Sequence, residues 1–541
     1  MAGPEGRQRT TKFTIMIESN VVPAVPTSTE KPKRSEISRA LIAKSVLSNW
    51  SYLSLNILVA FWMTPFVVRH LGDTSFGIWA LVLQLTGYMG VVDVGLRSAL
   101  VRFVSRFQAQ GDHEALNRLL NTTITLYAMM APICLLVAAI VAFFGLQHMH
   151  IPPQMLRVAQ LTVFIAAGCV ACDFIFATSH ASLAGLSRWD LINSVWIPVL
   201  LVRTALIILF LELGFGLLTL ALIQFSVTLI GYSVEVIFLR RLLPTFRFKW
   251  RAFEMAHMRP IMEHGWYSFL LSMATRVNYQ VDSIVIAFFL PISEITFYVI
   301  GLRLIEYLRD LLNSTTMIVA PLVSSQEAVG DTHRVATTLI RSTRYSLLVG
   351  FLGVGVFLGL GTDFIRLWMG PRFAGPSGTV LVILAIGVLA SSTQFASSHV
   401  LYGLSKHRLN VNWTIVESIL NLSFSLVLVR RYGILGVAAG TTIANIIIRG
   451  WLYPRSFLRA LDVPWREYLR HGVAPAITPA LSFLAAVELC KRFLPIQNYG
   501  GLVLAAILGL LAFGVCLWFF GLDDSDREML LLRSRAFTAR A

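Results

Sequence analysis

Charged side chains are scarce in this sequence: they make up 14% of its 541 residues, against about a quarter in soluble globular proteins. Hydrophobic residues reach 56%, and the mean hydropathy is +0.70. A chain this apolar cannot cover its surface with polar groups, so ordinary soluble domains are excluded. The composition therefore indicates an integral membrane protein.

Cysteines are few, and they are poorly placed for disulfides or metals. All five fall inside or at the edge of apolar runs, at Cys134, Cys169, Cys172, Cys490 and Cys516. No disulfide framework is indicated. Cys169 and Cys172 form a CxxC pair, but no second pair and no nearby histidine accompanies them, which favours small packing residues over a metal site. We expect no bound metal and no cofactor.

Acidic residues are outnumbered by basic ones, 29 to 45, which gives a formal net charge of +16. In a soluble protein this excess would suggest a nucleic-acid partner. In a membrane protein cations collect in cytoplasmic loops, so we expect no nucleic acid here. Residues 1–43 are polar, basic and dotted with proline, and they lack the apolar core of a signal peptide. They are predicted to form a disordered cytoplasmic tail.

Apolar runs of roughly twenty residues dominate the rest of the chain, and each is long enough to cross a bilayer as a helix. About fourteen are predicted, at residues 47–68, 76–96, 120–144, 157–180, 190–211, 216–239, 266–290, 295–319, 340–361, 377–401, 410–429, 434–455, 472–493 and 500–520. Barrel strands, of about ten residues, are excluded. Cation-rich connections alternate with cation-poor ones, which predicts an inner-membrane protein with both termini in the cytoplasm. Arg430 and Arg431 are the exception to this pattern.

One stretch of the sequence recurs in register. Leu71–Trp79 (LGDTSFGIW) matches Leu290–Tyr298 (LPISEITFY) at an offset of 219 residues, and Gly111 matches Gly330 at the same offset. This offset spans six predicted helices, an even number, so the two copies are parallel repeats. The predicted organisation is the basic tail (1–43), an N-lobe with helices 1–6 (44–245), a C-lobe with helices 7–12 (246–460), helices 13 and 14 (461–521) and a cytoplasmic tail (522–541).

Polar residues inside these predicted spans mark a candidate site. An ionised group at the centre of a membrane helix costs about 2.5 to 3.5 kcal/mol, so it needs a partner or a water-filled cavity. Helical spacing in TRVNYQVDS of helix 7 places polar side chains on two adjacent stripes, and helix 8 continues the pattern. The predicted site residues are Arg276, Asn278, Gln280 and Asp282 in helix 7, Arg303, Glu306 and Arg309 in helix 8, Arg203 in helix 5 and Asp93 in helix 2.

Two interpretations of these charges stay open. They line a substrate cavity, or they form ion pairs that only pack helices, such as Arg303 with Glu306 and Arg309 with Glu306 or Asp282. Arg203 has no acidic residue within one helical turn, which makes it the strongest binding candidate of the first lobe.

Three other polar positions in the predicted spans are ambiguous in the same way. Asp93 is four residues from Arg97, and this spacing fits a local ion pair. Asp173 and His180 lie on one helix face, where they form either a proton-responsive pair or a packing contact.

Several segments resemble a known family. LGDTSFGIWAL, VVDVGLRSALVRFVSRFQAQGD, AGLSR and YGLSKHRL are similar to the O-antigen and exopolysaccharide flippases, the polysaccharide transport branch of the multidrug/oligosaccharidyl-lipid/polysaccharide (MOP) exporter superfamily, over about residues 45–520. The resemblance implies an all-α fold of two six-helix lobes in a V, like that of the MATE exporters, with two extra helices. It also implies alternating access and a cargo of polyprenyl-diphosphate-linked oligosaccharide.

The residues fit such a cargo. A diphosphate in a low-dielectric cavity needs cations, and the arginine fork suits phosphate oxygens, so Arg203, Arg276 and Arg303 are expected to bind it. Asp282 and Glu306 could carry a coupling proton or sodium ion. Expected partners are the lipid-linked oligosaccharide, membrane lipids and the polysaccharide polymerase and chain-length machinery.

Two other functions fit the sequence less well. A cation-coupled multidrug exporter is the alternative, although the arginines and the two extra helices disfavour it. An enzyme would need a large loop or soluble domain carrying paired carboxylates, and the sequence has room for neither.

Overall fold

The computed structural model describes residues 39–244 apart from 94 and 95, residues 259–528 apart from 407, 524 and 525, and residue 532. The predicted basic tail up to residue 38, most of the basic connection near residues 240–262 and most of the predicted C-terminal tail lie outside the described residues. Helices account for nearly all of the described chain, which contains no β-strand. The first helix already begins at Arg39, inside the predicted tail.

The α-helices are numbered here in chain order. They are α1 (Arg39–Met89), α2 (Leu96–Gln110), α3 (His113–Ile140), α4 (Pro153–Gly185), α5 (Trp189–Glu212), α6 (Leu217–Leu242), α7 (Arg259–Phe289), α8 (Glu294–Thr316), α9 (Val319–Ala328), α10 (Thr332–Trp368), α11 (Pro371–Gly403), α12 (Arg408–Asn445), α13 (Tyr453–Ala460), α14 (Trp465–Glu467), α15 (Ala474–Phe493) and α16 (Tyr499–Cys516). Residues 39–244 are called the first half below, and residues 259–460 the second half.

The described chain contains fourteen helical segments long enough to cross a membrane, which is the predicted number. Ten helical stretches qualify by length and composition. Two of these stretches, which contain α1 and α12, each hold two spans, because a glycine with non-helical backbone divides the helix at Gly72 and at Gly433. The 51 residues of α1 would be about 77 Å long if straight, far beyond a bilayer core of about 30 Å. The other two are α7 and α8, which are too polar to qualify by composition. The all-helical fold with fourteen spans is confirmed.

The break at Gly433 folds α12 into a hairpin. Its φ of +59° lies in the left-handed region, which a residue with a Cβ enters only at a cost. Beyond the turn, Gly440 approaches Ser425 so closely that a Cβ on the glycine would lie 2.6 Å from the serine backbone nitrogen. The hydroxyl of Ser425 also donates to the carbonyl of Val437 at 3.4 Å. The two predicted helices therefore pack antiparallel against each other.

The sequence repeat is reproduced in local geometry. Gly111 and Gly330 have φ values of +69° and +71°. Asp112 and Asp331, which follow them, each accept a hydrogen bond from the backbone N–H three residues on, at 2.8 and 3.0 Å. These carboxylates cap α3 and α10 in the same way. The two copies therefore start corresponding helices with the same turn and the same cap.

A close helix approach is also duplicated. The hydroxyl of Ser105 donates to the carbonyl of Gly185 at 2.5 Å, and that of Ser324 donates to the carbonyl of Gly403 at 2.9 Å. A Cβ on either glycine would lie within 3 Å of the neighbouring helix, at 2.8 and 2.7 Å. Only glycine permits this packing, which explains why the Gly-Leu-Ser segment recurs in the sequence.

The two halves meet at the repeated Leu71–Trp79 and Leu290–Tyr298 segments. The hydroxyl of Thr296 donates to the backbone carbonyl of Asp73 at 2.6 Å. Arg372 forms an ion pair with the Asp73 carboxylate, and the indole N–H of Trp368 donates to the carbonyl of Phe61 at 3.0 Å. These contacts hold the halves together at the end of the bundle that the topology prediction places outside.

Candidate functional site

A cavity of about 500 Å³ lies between the two halves. Its walls come from α1, α4, α5 and α6 of the first half and from α8 of the second. Two predicted site residues, Arg203 and Arg303, reach it from opposite halves, and Trp79 and Tyr307 are among its aromatic lining. No aspartate or glutamate is among the described residues that line this cavity. It is therefore a cationic chamber shared by both repeats.

Arg203 is held in this chamber by neutral groups. Its Nη1 donates to Oε1 of Gln224 on α6 at 3.0 Å, and Nε2 of Gln224 donates to the hydroxyl of Thr228 at 3.2 Å. Within the described chain no carboxylate forms an ion pair with Arg203. Its positive charge is consequently oriented but not neutralised, as a site for an anionic ligand requires.

Arg303 differs, because it forms one of the ion pairs that the sequence allowed. Its Nη1 lies 2.8 Å from Oε2 of Glu306, one turn further along α8. Arg309 does not pair with either of its predicted partners: its guanidinium stacks on the ring of Tyr279, 4.5 Å from the ring centre. The hydrogen bonds of the carboxylate of Asp282 come from hydroxyl groups instead.

Arg276 and Gln280 lie where α7 approaches the end of α1. The hydroxyl of Tyr88 donates to the backbone carbonyl of Arg276 at 3.2 Å. A Cβ on Gly87 would lie 2.5 Å from Oε1 of Gln280 and 3.0 Å from Nη1 of Arg276. The two side chains therefore pack against α1 and are not among the residues lining the 500 Å³ cavity.

Asp282 is the centre of a buried cluster of oxygen atoms. It is 2% exposed and accepts a hydrogen bond from the hydroxyl of Tyr298, while Oγ1 of Thr441 lies 3.3 and 3.2 Å from its two oxygens. The same Oγ1 lies 3.0 Å from Oδ1 of Asn421, to which Ser425 donates at 3.2 Å. No ion pair joins Asp282 to a basic side chain in the described residues. Clustered oxygens around one carboxylate suit a small hard cation or a proton.

Asp93 belongs to a network in the first half. Arg97 lies 3.0 Å from Asp93 and 2.8 Å from Asp173, so one guanidinium joins two carboxylates. Tyr127 donates to Asp93, and Tyr232 donates to Asp173. Asp93 is thus an ion-pair residue, and the local pair with Arg97 that the sequence suggested is formed.

The alternative pair of Asp173 with His180 is not formed. Nδ1 of His180 lies 2.9 Å from Oε1 of Glu235, and the indole N–H of Trp196 donates to the same oxygen at 2.8 Å. Glu235 is fully buried. The first half therefore has its own buried charges, at positions that do not match those of the second half.

The structure contains a further ion pair, between Glu417 and Arg449, which the sequence analysis did not predict. The Nε of Arg449 lies 2.5 Å from Oε2 of Glu417, and the side chains are 4% and 5% exposed. Nη1 of Arg449 donates to Asn410 at 3.0 Å, and Nη2 donates to Thr414 at 2.7 Å. The available signal was a single arginine in the apolar run IIIRGWL, because an arginine at such a position needs a partner.

Arg449 also borders a second cavity, of about 610 Å³, which lies wholly within the second half. The predicted site residue Asn278 lines it, together with residues of α8, α11 and α12. In the part of the chain that the structure describes, no three His, Cys, Asp or Glu side chains converge on one point.

Solved structures of membrane transporters share this fold. An inward-facing multidrug resistance MATE family transporter of the MOP superfamily matches 75% of this chain and 94% of its own, with a TM-score of 0.64 and 14% identity. The lipid II flippase MurJ in an inward closed conformation matches 85% and 98%, with a TM-score of 0.59 and 17% identity. The chain is a multi-pass helical membrane protein that shares the fold of these transporters.

Sequence relatives and a family match show which family of membrane proteins the chain belongs to. The chain is 20% identical to the uncharacterized membrane protein EpsK of Bacillus subtilis, over 90% of this chain and 97% of the relative. It is 21% identical to a putative O-antigen transporter of Shigella flexneri (77% and 98%) and 22% identical to the probable low-salt glycan biosynthesis flippase Agl15 of Haloferax volcanii (70% and 76%). Residues 42–327 match the polysaccharide biosynthesis protein family, and the chain belongs to that family.

Proposed function

We propose that this protein moves a polyprenyl-diphosphate-linked oligosaccharide, such as an O-antigen, capsule or exopolysaccharide repeat unit, across the cytoplasmic membrane by alternating access. The observation that carries the proposal is the cavity of about 500 Å³ between the halves, in which Arg203 presents a charge that no described carboxylate neutralises. Membership of the polysaccharide biosynthesis protein family and the names of two relatives, an O-antigen transporter and a glycan flippase, support it.

The chamber suits the diphosphate of such a lipid. A diphosphate leaves water only if cationic donors replace its hydration, and arginine offers two parallel N–H groups to phosphate oxygens. Arg203 comes from the first half and Arg303 from the second, so a bound diphosphate would contact both moving parts. Such a ligand stabilises one arrangement of the halves over another, which is the requirement for a transport cycle.

A cation-coupled multidrug exporter is less well supported. Cationic drugs need carboxylates in the binding cavity, but the described lining residues of this chamber have none and include two arginines. Asp282 is buried in its oxygen cluster, and Asp93 is paired with Arg97. Glu306 is paired with the lining residue Arg303 but is not itself among the lining residues.

Among the three acidic residues of the predicted site, Asp282 is the best candidate for a coupling-ion residue. Glu306 and Asp93 each have an arginine as partner, so a cation would have to displace it. The carboxylate of Asp282 faces hydroxyl and amide oxygens and is almost completely buried. We propose it as the position where a proton or sodium ion couples to the movement of the halves.

Deletion of the gene tests the function. We expect lipid-linked repeat units to accumulate on the cytoplasmic side and surface polysaccharide to disappear, because the cargo is made but not moved. The wild-type gene should restore export, whereas R203A should not, although its membrane abundance stays normal. Arg157→Ala, an exposed arginine outside both cavities, is the matched control and should restore export fully. Normal surface glycan in the deletion strain, with no second flippase gene present, would refute the proposal.

A further inference from the structure

The cavity of about 610 Å³ in the second half has a different chemistry from the arginine chamber. Four of its sixteen lining residues have amide side chains: Asn278, Asn313, Gln394 and Asn410. Hydroxyl groups of serine, threonine and tyrosine add further donors and acceptors, and no carboxylate is among the described residues of the wall. Among the described residues of the wall, the basic side chains are His399 and Arg449, and Arg449 lies 2.5 Å from Glu417, so the wall offers no unneutralised arginine charge. A phosphate would gain little here, whereas a neutral polar ligand would be well matched.

Amides and hydroxyls each combine a donor with an acceptor, which is the pattern that sugar hydroxyl and acetamido groups require. Three aromatic residues, Tyr279, Phe395 and Tyr402, complete the wall. Aromatic faces pack against the apolar C–H faces of sugar rings, and their polar edges remain available for hydrogen bonds. Ligand sites commonly combine such a partly apolar wall with a few well-placed polar groups.

The cavity is also at a suitable distance from the arginine chamber. Arg303 of the chamber and Asn313 of the second cavity lie on the same helix, α8, ten residues apart. At the rise of an α-helix this separation is about 15 Å. A short oligosaccharide attached to a diphosphate at the arginines is long enough to span this separation.

We infer that the second cavity is a saccharide subsite, which binds the uncharged sugar rings of the cargo while the arginine chamber binds its diphosphate. This inference rests on the proposed function and adds to it a separate site for the glycan. It assigns specificity for the glycan to Asn313 and Gln394, whose amides can be altered without touching the ion pair of Arg449 and Glu417.

The test uses the full chain in lipid nanodiscs and two probes: undecaprenyl diphosphate, and the lipid-linked oligosaccharide extracted from the deletion strain. Wild type should bind the glycolipid more tightly than the bare lipid. Asn313→Leu and Gln394→Leu should each weaken glycolipid binding by about fivefold, the loss expected for one hydrogen bond, and leave binding of undecaprenyl diphosphate unchanged. R203A should weaken binding of both probes. Asn412→Leu, an exposed asparagine of α12 outside both cavities, should change neither.

The possible failures are distinguishable. If wild type binds neither probe, the proposed cargo is wrong. If wild type binds the two probes equally, the saccharide subsite is refuted, because the diphosphate alone then accounts for binding. If wild type prefers the glycolipid and the double variant N313L/Q394L keeps that preference in full, the saccharide subsite is refuted and the proposed function stands. Equal weakening of both probes by the two leucine variants would show a general effect on the fold and would also overturn the subsite.

Discussion

The buried pair of Glu417 and Arg449 gives the sharpest prediction about stability. Both side chains are about as buried as a core leucine, at 5% and 4% exposure, and their atoms lie 2.5 Å apart. Replacing one member of a buried pair leaves the other charge without compensation, at a cost of about 3–5 kcal/mol. We therefore expect Glu417→Leu to lower the free energy of unfolding by about that amount.

A variant that replaces both members of the pair separates the effect of the unpaired charge from that of the lost hydrogen bonds. In Glu417→Leu/Arg449→Leu no uncompensated charge remains, and the losses are the hydrogen bonds from Arg449 to Asn410 and Thr414. Interhelical hydrogen bonds in membranes average about 0.6 kcal/mol each, so the double variant should lose only about 1–2 kcal/mol and be more stable than the single one.

The assay is SDS-induced unfolding of purified protein in mixed micelles, followed by tryptophan fluorescence. Glu114→Leu provides a control, because Glu114 is 85% exposed and its pair with Arg118 should contribute less than about 1 kcal/mol. A Glu417→Leu variant that loses no more than this control, or a double variant that is less stable than the single one, would contradict the burial of the pair.

Three further predictions concern the coupling site, the outer contact and the hairpin. Asp282→Asn should abolish the dependence of transport on a sodium or proton gradient in proteoliposomes, while the lipid binding that requires Arg203 persists. If the gradient dependence is unchanged, Asp282 is not the coupling residue. Asp73→Asn removes the ion pair with Arg372, and because Arg372 is 71% exposed, this pair contributes at most about 1 kcal/mol. The alkylation rate of a cysteine placed at Thr64, which lines the chamber, should therefore rise by no more than about fivefold. Gly433→Val should cost about 1–2 kcal/mol because its φ is positive, and a lowered thermal midpoint of the purified protein is the measurement; an unaltered midpoint would mean that this turn is not strained by a side chain.

Most of the fold could be predicted because each span is a local property of the sequence. An apolar run of about twenty residues specifies a membrane helix whatever its neighbours are. The repeat then fixed the number of helices per copy and their parallel sense, and Gly111 and Gly330 share a turn because the same short sequence dictates it. Even α7 and α8, which are too polar to qualify as spans by composition, were predicted from runs long enough to cross a bilayer.

The pairing of charges could not be predicted in the same way. Helical periodicity tells which face of a helix a side chain occupies, but not which helix packs on that face. Arg97 meets Asp173 across 76 residues of chain, and Arg449 meets Glu417 across 32. The pairs of Arg303 with Glu306 and of Arg97 with Asp93, three and four residues apart, were predicted correctly. The partners suggested for Arg309 and His180 were wrong, because these side chains contact Tyr279 and Glu235 on other helices.

This difference between paired and unpaired charges separates structural residues from candidate functional ones. A carboxylate that already has an arginine as counter-ion binds a further cation only in competition with that arginine, so Asp93, Glu306 and Glu417 are poorer sites for an exchanging cation than Asp282. Arg203 and Asp282 are buried or half-buried charges held by neutral amides and hydroxyls, which orient them without cancelling them. One is positive and faces the chamber between the halves, and the other is negative and lies inside the second half. The proposed cargo anion and the proposed coupling cation would therefore occupy different sites and would not compete with each other.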